Sequence, residues 1–276
     1  MRFGAVALLW LLATLSLAVT LPLAWAQSNL VDVNGYARLA ARAAAEPVLQ
    51  EAVAAELSNQ AVRLVRDRGY SLDPAQARQA ADHYTAGPAF AAEFVRVNRA
   101  GHAWLLSGET GAWQIDVIPM LSDNAFAPLL AEYGVVLPAS MTVPVTTSAT
   151  QTLRRPDVLH RVAVWGPWLC VAAGAITVAC ALLMLATARR RGRAVAALGV
   201  SALLVAAAGW SGIEVGRRYL GEALDHCTVE IRRIADVVVA LAEDSLHEWL
   251  DVTLAAGAAM VVVGVLLAML GGLRTP

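Results

Sequence analysis

Long apolar runs along this chain alternate with polar segments that carry almost all of its charge. Four runs, 3–26, 162–188, 194–213 and 252–273, meet or exceed the 20 or so residues that a helix needs to cross a hydrocarbon core of about 30 Å. None of the four contains an aspartate, glutamate, arginine or histidine. The pattern predicts transmembrane helices over 1–26, 162–188, 194–213 and 252–273. A larger polar domain at 27–161, a short loop at 189–193 and a second polar segment at 214–251 separate them.

Charge then orients the spans. All 22 acidic residues fall within 27–161 and 214–251, whereas Arg2, Arg189, Arg190, Arg191, Arg193 and Arg274 occupy the stretches that hold no acid. The positive-inside bias places those arginines, with both termini, in the cytoplasm and the two acidic segments outside the cytoplasmic (inner) membrane. Tryptophan agrees, because Trp25, Trp165, Trp168, Trp210 and Trp249 all stand at the outer ends of the runs, where an amphipathic ring favours the headgroup region. A hydrophobic content of 58% is more than a soluble chain of this length ordinarily carries.

The first run admits two readings. Arg2, an apolar stretch and Ala24-Trp25-Ala26 before Gln27 have the form of a signal peptide, and cleavage would leave three spans. The apolar stretch is longer than the usual leader core, which favours an uncleaved signal-anchor.

The segment 27–161 reads as a mostly helical domain. Pro47 and Pro74 sit at first helical positions, the second behind Asp73 as N-cap, and Leu49, Val53, Leu57, Ala61 and Leu64 form one apolar face. Gly87-Pro88 interrupts, and helical periodicity resumes through Phe90, Phe94 and Val97 towards Leu106. Alternation at 113–117 and β-prone residues at 141–146 predict a short β-hairpin, with Pro144 confining its strand to an edge. In 214–251 no glycine or proline follows Gly221, so the third and fourth spans are expected to extend outward as a helical hairpin with a turn at 225–228. Ile231, Ile234, Val238, Leu241 and Ser245 make a stripe that needs a partner, either the larger outer domain or another subunit. The expected fold is therefore mainly α: a four-helix transmembrane bundle with a mostly helical extracytoplasmic domain that includes a short β-hairpin.

Chemistry is sparse. Glu222, Asp225 and His226, with Glu243, Asp244, His247, Glu248 and Asp251, supply cation ligands on successive helical turns, but no fixed metal motif accompanies them and a solvated acidic face is the favoured reading. That segment holds four arginines against nine acids, net −5, and the larger domain eleven against thirteen, net −2, so neither suits anionic headgroups from outside; the inner arginines do. Ser107-Gly108-Glu109-Thr110-Gly111 lacks the phosphate-loop lysine and reads as a turn, His102 and His160 have no serine or cysteine at a diagnostic spacing, and His83 sits in a polar helical stretch. Gly212 and Gly216 offer a close-approach motif, expected mainly to serve packing within the bundle. Cys170 and Cys180 lie in the second span and Cys227 outside, leaving the larger domain without a disulfide. No ionisable or broken-helix element stands at mid-span, which argues against a pump.

All 21 basic residues are arginine, and with abundant alanine this suggests a GC-rich, actinobacterial source. Val33-Asn34-Gly35-Tyr36, the run Glu46-Pro47-Val48-Leu49-Gln50-Glu51-Ala52-Val53, Asn98-Arg99-Ala100-Gly101-His102 leading to Leu105-Leu106-Ser107-Gly108-Glu109, Ile115-Asp116-Val117-Ile118-Pro119 and the arginine loop together carry a resemblance. Over nearly its whole length the chain resembles a group of uncharacterised actinobacterial four-span integral membrane proteins with an extracytoplasmic domain between spans one and two. Its outer domain is shorter than that group's usual one. The resemblance implies architecture and brings no activity, cofactor or functional residue.

The expected function is that of a non-enzymatic accessory or scaffold subunit presenting its outer domain to an envelope protein, a lipid or a cell-wall component. The alternative is a transport or mechanotransmission subunit of FtsX-like topology working with an ATPase, although 1–3 and 189–193 offer such a partner little surface. Expected partners are membrane lipids and either an envelope protein or further copies of the chain, with no nucleic acid. No catalytic, cofactor-binding or metal-binding residue is assigned, and no cofactor is expected.

Overall fold

The computed structural model describes residues 2–67, 69–107, 114–116, 118–132, 142–144, 156–188, 191–224 and 229–272. Among them the elements run α1 (Arg2–Ala26), a π-helical turn (Gln27–Val31), α2 (Val33–Ala44), α3 (Pro47–Arg66), α4 (Pro74–Thr85), α5 (Pro88–Ser107), β1 (Gln114–Asp116), α6 (Ile118–Leu121), α7 (Ala127–Glu132), β2 (Thr142–Pro144), α8 (Pro156–Thr187), α9 (Arg191–Leu224) and α10 (Val229–Gly272). Four helices are long and apolar enough to cross a membrane, spanning Gly4–Val31, Ala163–Thr187, Arg191–Glu222 and Val229–Leu270, as a multi-pass membrane protein requires. The chain divides into two compact units, one of Met1–Leu30, Val162–Tyr219 and Glu243–Pro276, the other of Val31–Arg161 and Leu220–Ala242.

The second unit is a helical domain whose ends are set by local chemistry. Asp32 caps α2 by accepting from the Gly35 amide at 2.7 Å, and Asp73 caps α4 by accepting from Ala75 N at 2.9 Å. Pro47 and Pro74 occupy first positions, where the missing N–H costs nothing. After α3 the chain turns through Gly69, whose φ of +83° suits a residue without a Cβ. The anticipated face of α3 is buried throughout, at Leu49, Val53, Leu57, Ala61 and Leu64. Fully buried alanines at 43, 54, 61 and 77 let α2, α3 and α4 approach closely, and Phe90, Phe94, Phe126 and Tyr84 fill the remaining core.

Ile234, Val237, Val238 and Leu241 of α10 pack against that same core. Three residues of the stripe anticipated in 214–251, Ile234, Val238 and Leu241, thus pack on the core of the larger polar domain, with Val237 added, whereas Ser245 of that stripe accepts instead from Trp25 in the first unit. The domain is assembled from two stretches of chain far apart in sequence.

The expected β-hairpin is not supported, and the architecture is helical. The described residues hold one antiparallel ladder of three pairs, Gln114 with Pro144, Ile115 with Val143 and Asp116 with Thr142. Its strands are separated by residues 117–141, which carry α6 and α7, so no tight turn joins them. Extension is present at 114–116 and 142–144, but β-propensity carries no information about how a pair closes. Residues 113, 117, 141, 145 and 146 lie outside the described residues, as do the turns expected at 108–111 and 225–228, Cys227 with any bridge to it, and Arg189 and Arg190 of the short loop.

In the first unit, α9 and α10 meet along a seam of small residues. A Cβ placed on Gly199 would stand 2.6 Å from Gly257 O, one on Gly257 2.9 Å from Gly199 O, and one on Gly192 2.6 Å from Gly264 O. Gly192 and Gly199, like Gly257 and Gly264, are seven residues apart, so each pair falls on one stripe of its helix and backbone lies on backbone. The close approach expected at Gly212 and Gly216 is not where the helices touch, because a Cβ at either position would meet nothing within 4 Å.

Candidate functional site

Polar groups inside the first unit are hydroxyls and indoles spaced a helical turn apart, and they join helix to helix. On one side of α1, Trp10 Nε1 donates to Ala197 O at 3.0 Å and Thr14 Oγ1 donates to Ser201 Oγ at 2.8 Å, reaching α9. On another side Ser16 Oγ and Thr177 Oγ1 share a hydrogen bond of 2.8 Å, reaching α8. Near the end of α1, Trp25 Nε1 donates to Ser245 Oγ of α10 at 3.4 Å. The sequence signal for these contacts is helical spacing: Trp10 and Thr14, and Ser16 and Thr20, are i,i+4 pairs inside an apolar run, so each pair shares a face.

The same contacts bring the interfacial tryptophans to one end of the unit. Trp25 meets Ser245, the Trp210 ring lies 4.1 Å from that of His247, and a Cβ on Gly166, between Trp165 and Trp168, would run into the Gln27 amide. Trp165 and Trp168 are 61% and 72% exposed, so their rings project outward. Trp249 is two residues beyond His247, about 3 Å along the helix axis.

In the second unit a polar cluster lies between α2 and α5. The Tyr36 and His102 rings stack with centroids 4.7 Å apart, Tyr36 Oη donates to Asn98 Oδ1 at 3.3 Å, and Asn98 Nδ2 donates to Phe94 O at 2.9 Å. Burial pushes the Tyr36 phenol above its ordinary pKa, so it stays a neutral donor. These residues belong to the Asn-Gly-Tyr and Asn-Arg-Ala-Gly-His segments quoted above, and the structure gives those segments a packing role. His160, expected without function, is exposed and its Nδ1 donates to Leu106 O at 3.1 Å; His83 is exposed in the last turn of α4. The Tyr84 hydroxyl is buried with no hydrogen-bond partner. Its pKa is pushed up to about 12 by burial first, then by the Glu93 and Asp123 carboxylates, with Arg96 opposing.

The described members of the acidic set form no cluster placed to hold a cation. Among the described residues no group of three or more histidine, cysteine, aspartate or glutamate side chains is placed to hold a metal ion. Glu222 falls in one compact unit and Glu243, Asp244, His247, Glu248 and Asp251 in the other, while Asp225 and His226 lie outside the described residues. His247 spends its ring on Trp210. The buried serine hydroxyls are likewise engaged: Ser58 donates to Ala55 O at 2.8 Å, Ser201 to Ala197 O at 3.2 Å, and Ser245 accepts from Trp25. What the arrangement does chemically is hold helices together.

Compared with protein-family models, with curated proteins and with solved structures, the chain matches none.

Proposed function

We propose that this chain is a four-span protein of the cytoplasmic membrane that keeps both termini inside and presents its second unit outside, as a non-enzymatic accessory or scaffold subunit for an envelope protein, a lipid or a cell-wall component. The observation that carries this reading is the shared core: Ile234, Val237, Val238 and Leu241 belong to α10, the helix that continues to Gly272 as an apolar span, and they complete the hydrophobic core of the polar domain. Orientation is supported by the arginine partition and by the tryptophans gathered at one end of the apolar unit, opposite in sequence to Arg2, Arg191 and Arg193. From Trp210 back to Arg193 is 17 residues, about 26 Å of helix, close to one hydrocarbon thickness.

The test is in-cell crosslinking, extraction in mild detergent and mass spectrometry of what co-purifies, bound lipid included. Recovery of an envelope protein, a defined lipid or a cell-wall fragment is the expected result. Stoichiometric recovery of a cytoplasmic ATPase would replace the scaffold reading with the transport-subunit one. Turnover of an envelope lipid by the purified protein, lost in His247→Ala, would end the non-enzymatic reading.

A further inference from the structure

Ala24-Trp25-Ala26 before Gln27 offers the small-x-small pattern at which secreted leaders are cut. A peptidase acts on that bond only where the chain opens locally, and the cost of opening sets how often it is exposed. The structure closes the segment in three ways. First, α1 runs unbroken to Ala26 and passes directly into the π-helical turn Gln27–Val31, so both sides of the bond are helical. Second, side chains beyond the bond hold carbonyls ahead of it: Ser28 Oγ donates to Ala24 O at 2.9 Å and to Trp25 O at 3.0 Å, and Asn29 Nδ2 donates to Trp25 O at 3.0 Å. These side chains add hydrogen bonds to carbonyls at the junction where the α-helix passes into the i→i+5 pattern of the π-turn. Third, Trp25 is only 8% exposed and donates to Ser245, and Gln27 lies against Gly166.

The rest of α1 is fitted to the other spans as a disposable leader need not be. It makes side-chain hydrogen bonds to α8 through Ser16, to α9 through Trp10 and Thr14, and to α10 through Trp25. Its removal would leave Thr177, Ser201 and Ser245 without those hydroxyl or indole partners in an apolar medium, where lost polar contacts are costly. We infer that Ala24-Trp25-Ala26 is a processing site withheld by the fold, and that α1 is a permanent span hydrogen-bonded to each of the other three. This inference rests on the orientation proposed above, which puts residue 27 on the outer side.

The experiment uses the full chain in a bacterial host that processes ordinary leaders, with the N-terminus read by mass spectrometry from purified membranes. The wild-type chain is expected to retain the peptide spanning Ala26 and Gln27. Trp25→Ala, which leaves the small-x-small pattern intact, and separately the double variant Ser28→Ala with Asn29→Ala, are expected to lose residues 1–26 in part or in full. A wild-type N-terminus at Gln27 overturns the inference. So does complete retention in every variant, because the packing would then protect nothing. Orientation is read in parallel from Tyr70→Cys, an exposed position. A membrane-impermeant maleimide adding one label over the parent chain upholds the orientation, and no added label sinks both readings at their common premise.

Discussion

The two units solve the same problem with different materials. The polar domain is closed by side-chain volume: phenylalanines at 90, 94 and 126, leucines and valines on α3, and alanines wherever helices must come close. The apolar unit has leucines in abundance, yet Leu8, Leu15, Leu182 and Leu266 are more than half exposed, and its contacts run through glycines and hydroxyls instead. The difference follows from the solvent each unit meets. Water drives apolar side chains inward at roughly 25 cal/mol per Å². Lipid does not, so helices there gain by backbone proximity and by polar pairing.

That contrast can be broken most forcefully in the polar domain. Phe90→Ala or Phe126→Ala, at positions no more than 1% exposed, is expected to cost about 3–5 kcal/mol, seen as a lowered melting temperature of the detergent-solubilised protein. A loss under 1 kcal/mol would mean that this core is not what closes the domain. Next comes the seam: Gly199→Val or Gly264→Val forces side-chain carbons onto facing backbone, and a cost of roughly 1–3 kcal/mol or more is expected. Gly212→Val should leave the isolated chain unchanged, because nothing lies within 4 Å. Equal effects at 199 and 212 would erase the distinction between the two glycine stripes.

A third substitution has the opposite sign. Tyr84→Phe removes a buried hydroxyl with no partner, whose burial costs about 1–3 kcal/mol when unmet, so stability should hold or rise. The phenol's pKa is raised in the folded state to about 12 from 10.0, so its neutral form is favoured there. That contribution is fully present below pH 10 and is lost as pH climbs towards 12, with a slope of at most about 1.4 kcal/mol per pH unit. Tyr84→Phe should flatten the decline in melting temperature across that window, and Tyr36, raised in the same direction, contributes to what slope remains. A Tyr84→Phe protein that melts well below wild type would show that the hydroxyl is engaged after all. The smallest effect belongs to the span hydroxyls. Thr14→Val loses one interhelical bond to Ser201, worth roughly 0.6 kcal/mol in comparable membrane proteins, and should lower the melting temperature only slightly.

Much of the polar domain was legible because its signals are local. Pro47, Pro74 and Asp73 act on their own first turn, and the stripe from Leu49 to Leu64 repeats at the helical period, so each states its role without reference to a partner. The π-turn at Gln27–Val31 was not legible, since it depends on how Gln27 and Trp25 are received by Gly166 and Ser245. The strand pair was half legible: extension is local, whereas pairing across residues 117–141 is not. The candidate cation set illustrates the same limit, because i,i+3 and i,i+4 spacing puts Asp244, His247 and Asp251 on one face but says nothing of what that face meets. His247 meets an indole.

Sequence alone determined where the apolar runs lie, which helices they make, how charge divides between the polar segments and which face of each amphipathic helix is apolar. These are properties of residue order, legible from hydropathy, helical period and capping chemistry within a few turns. Tertiary structure alone decided that Gly199 and Gly257 touch while Gly212 does not, that α10 finishes the core of a domain begun some 200 residues earlier, and that Ala24-Trp25-Ala26 lies inside a closed helix. Each of those is a meeting of surfaces from distant parts of the chain. A glycine reads the same in sequence whether a backbone lies against it or nothing does.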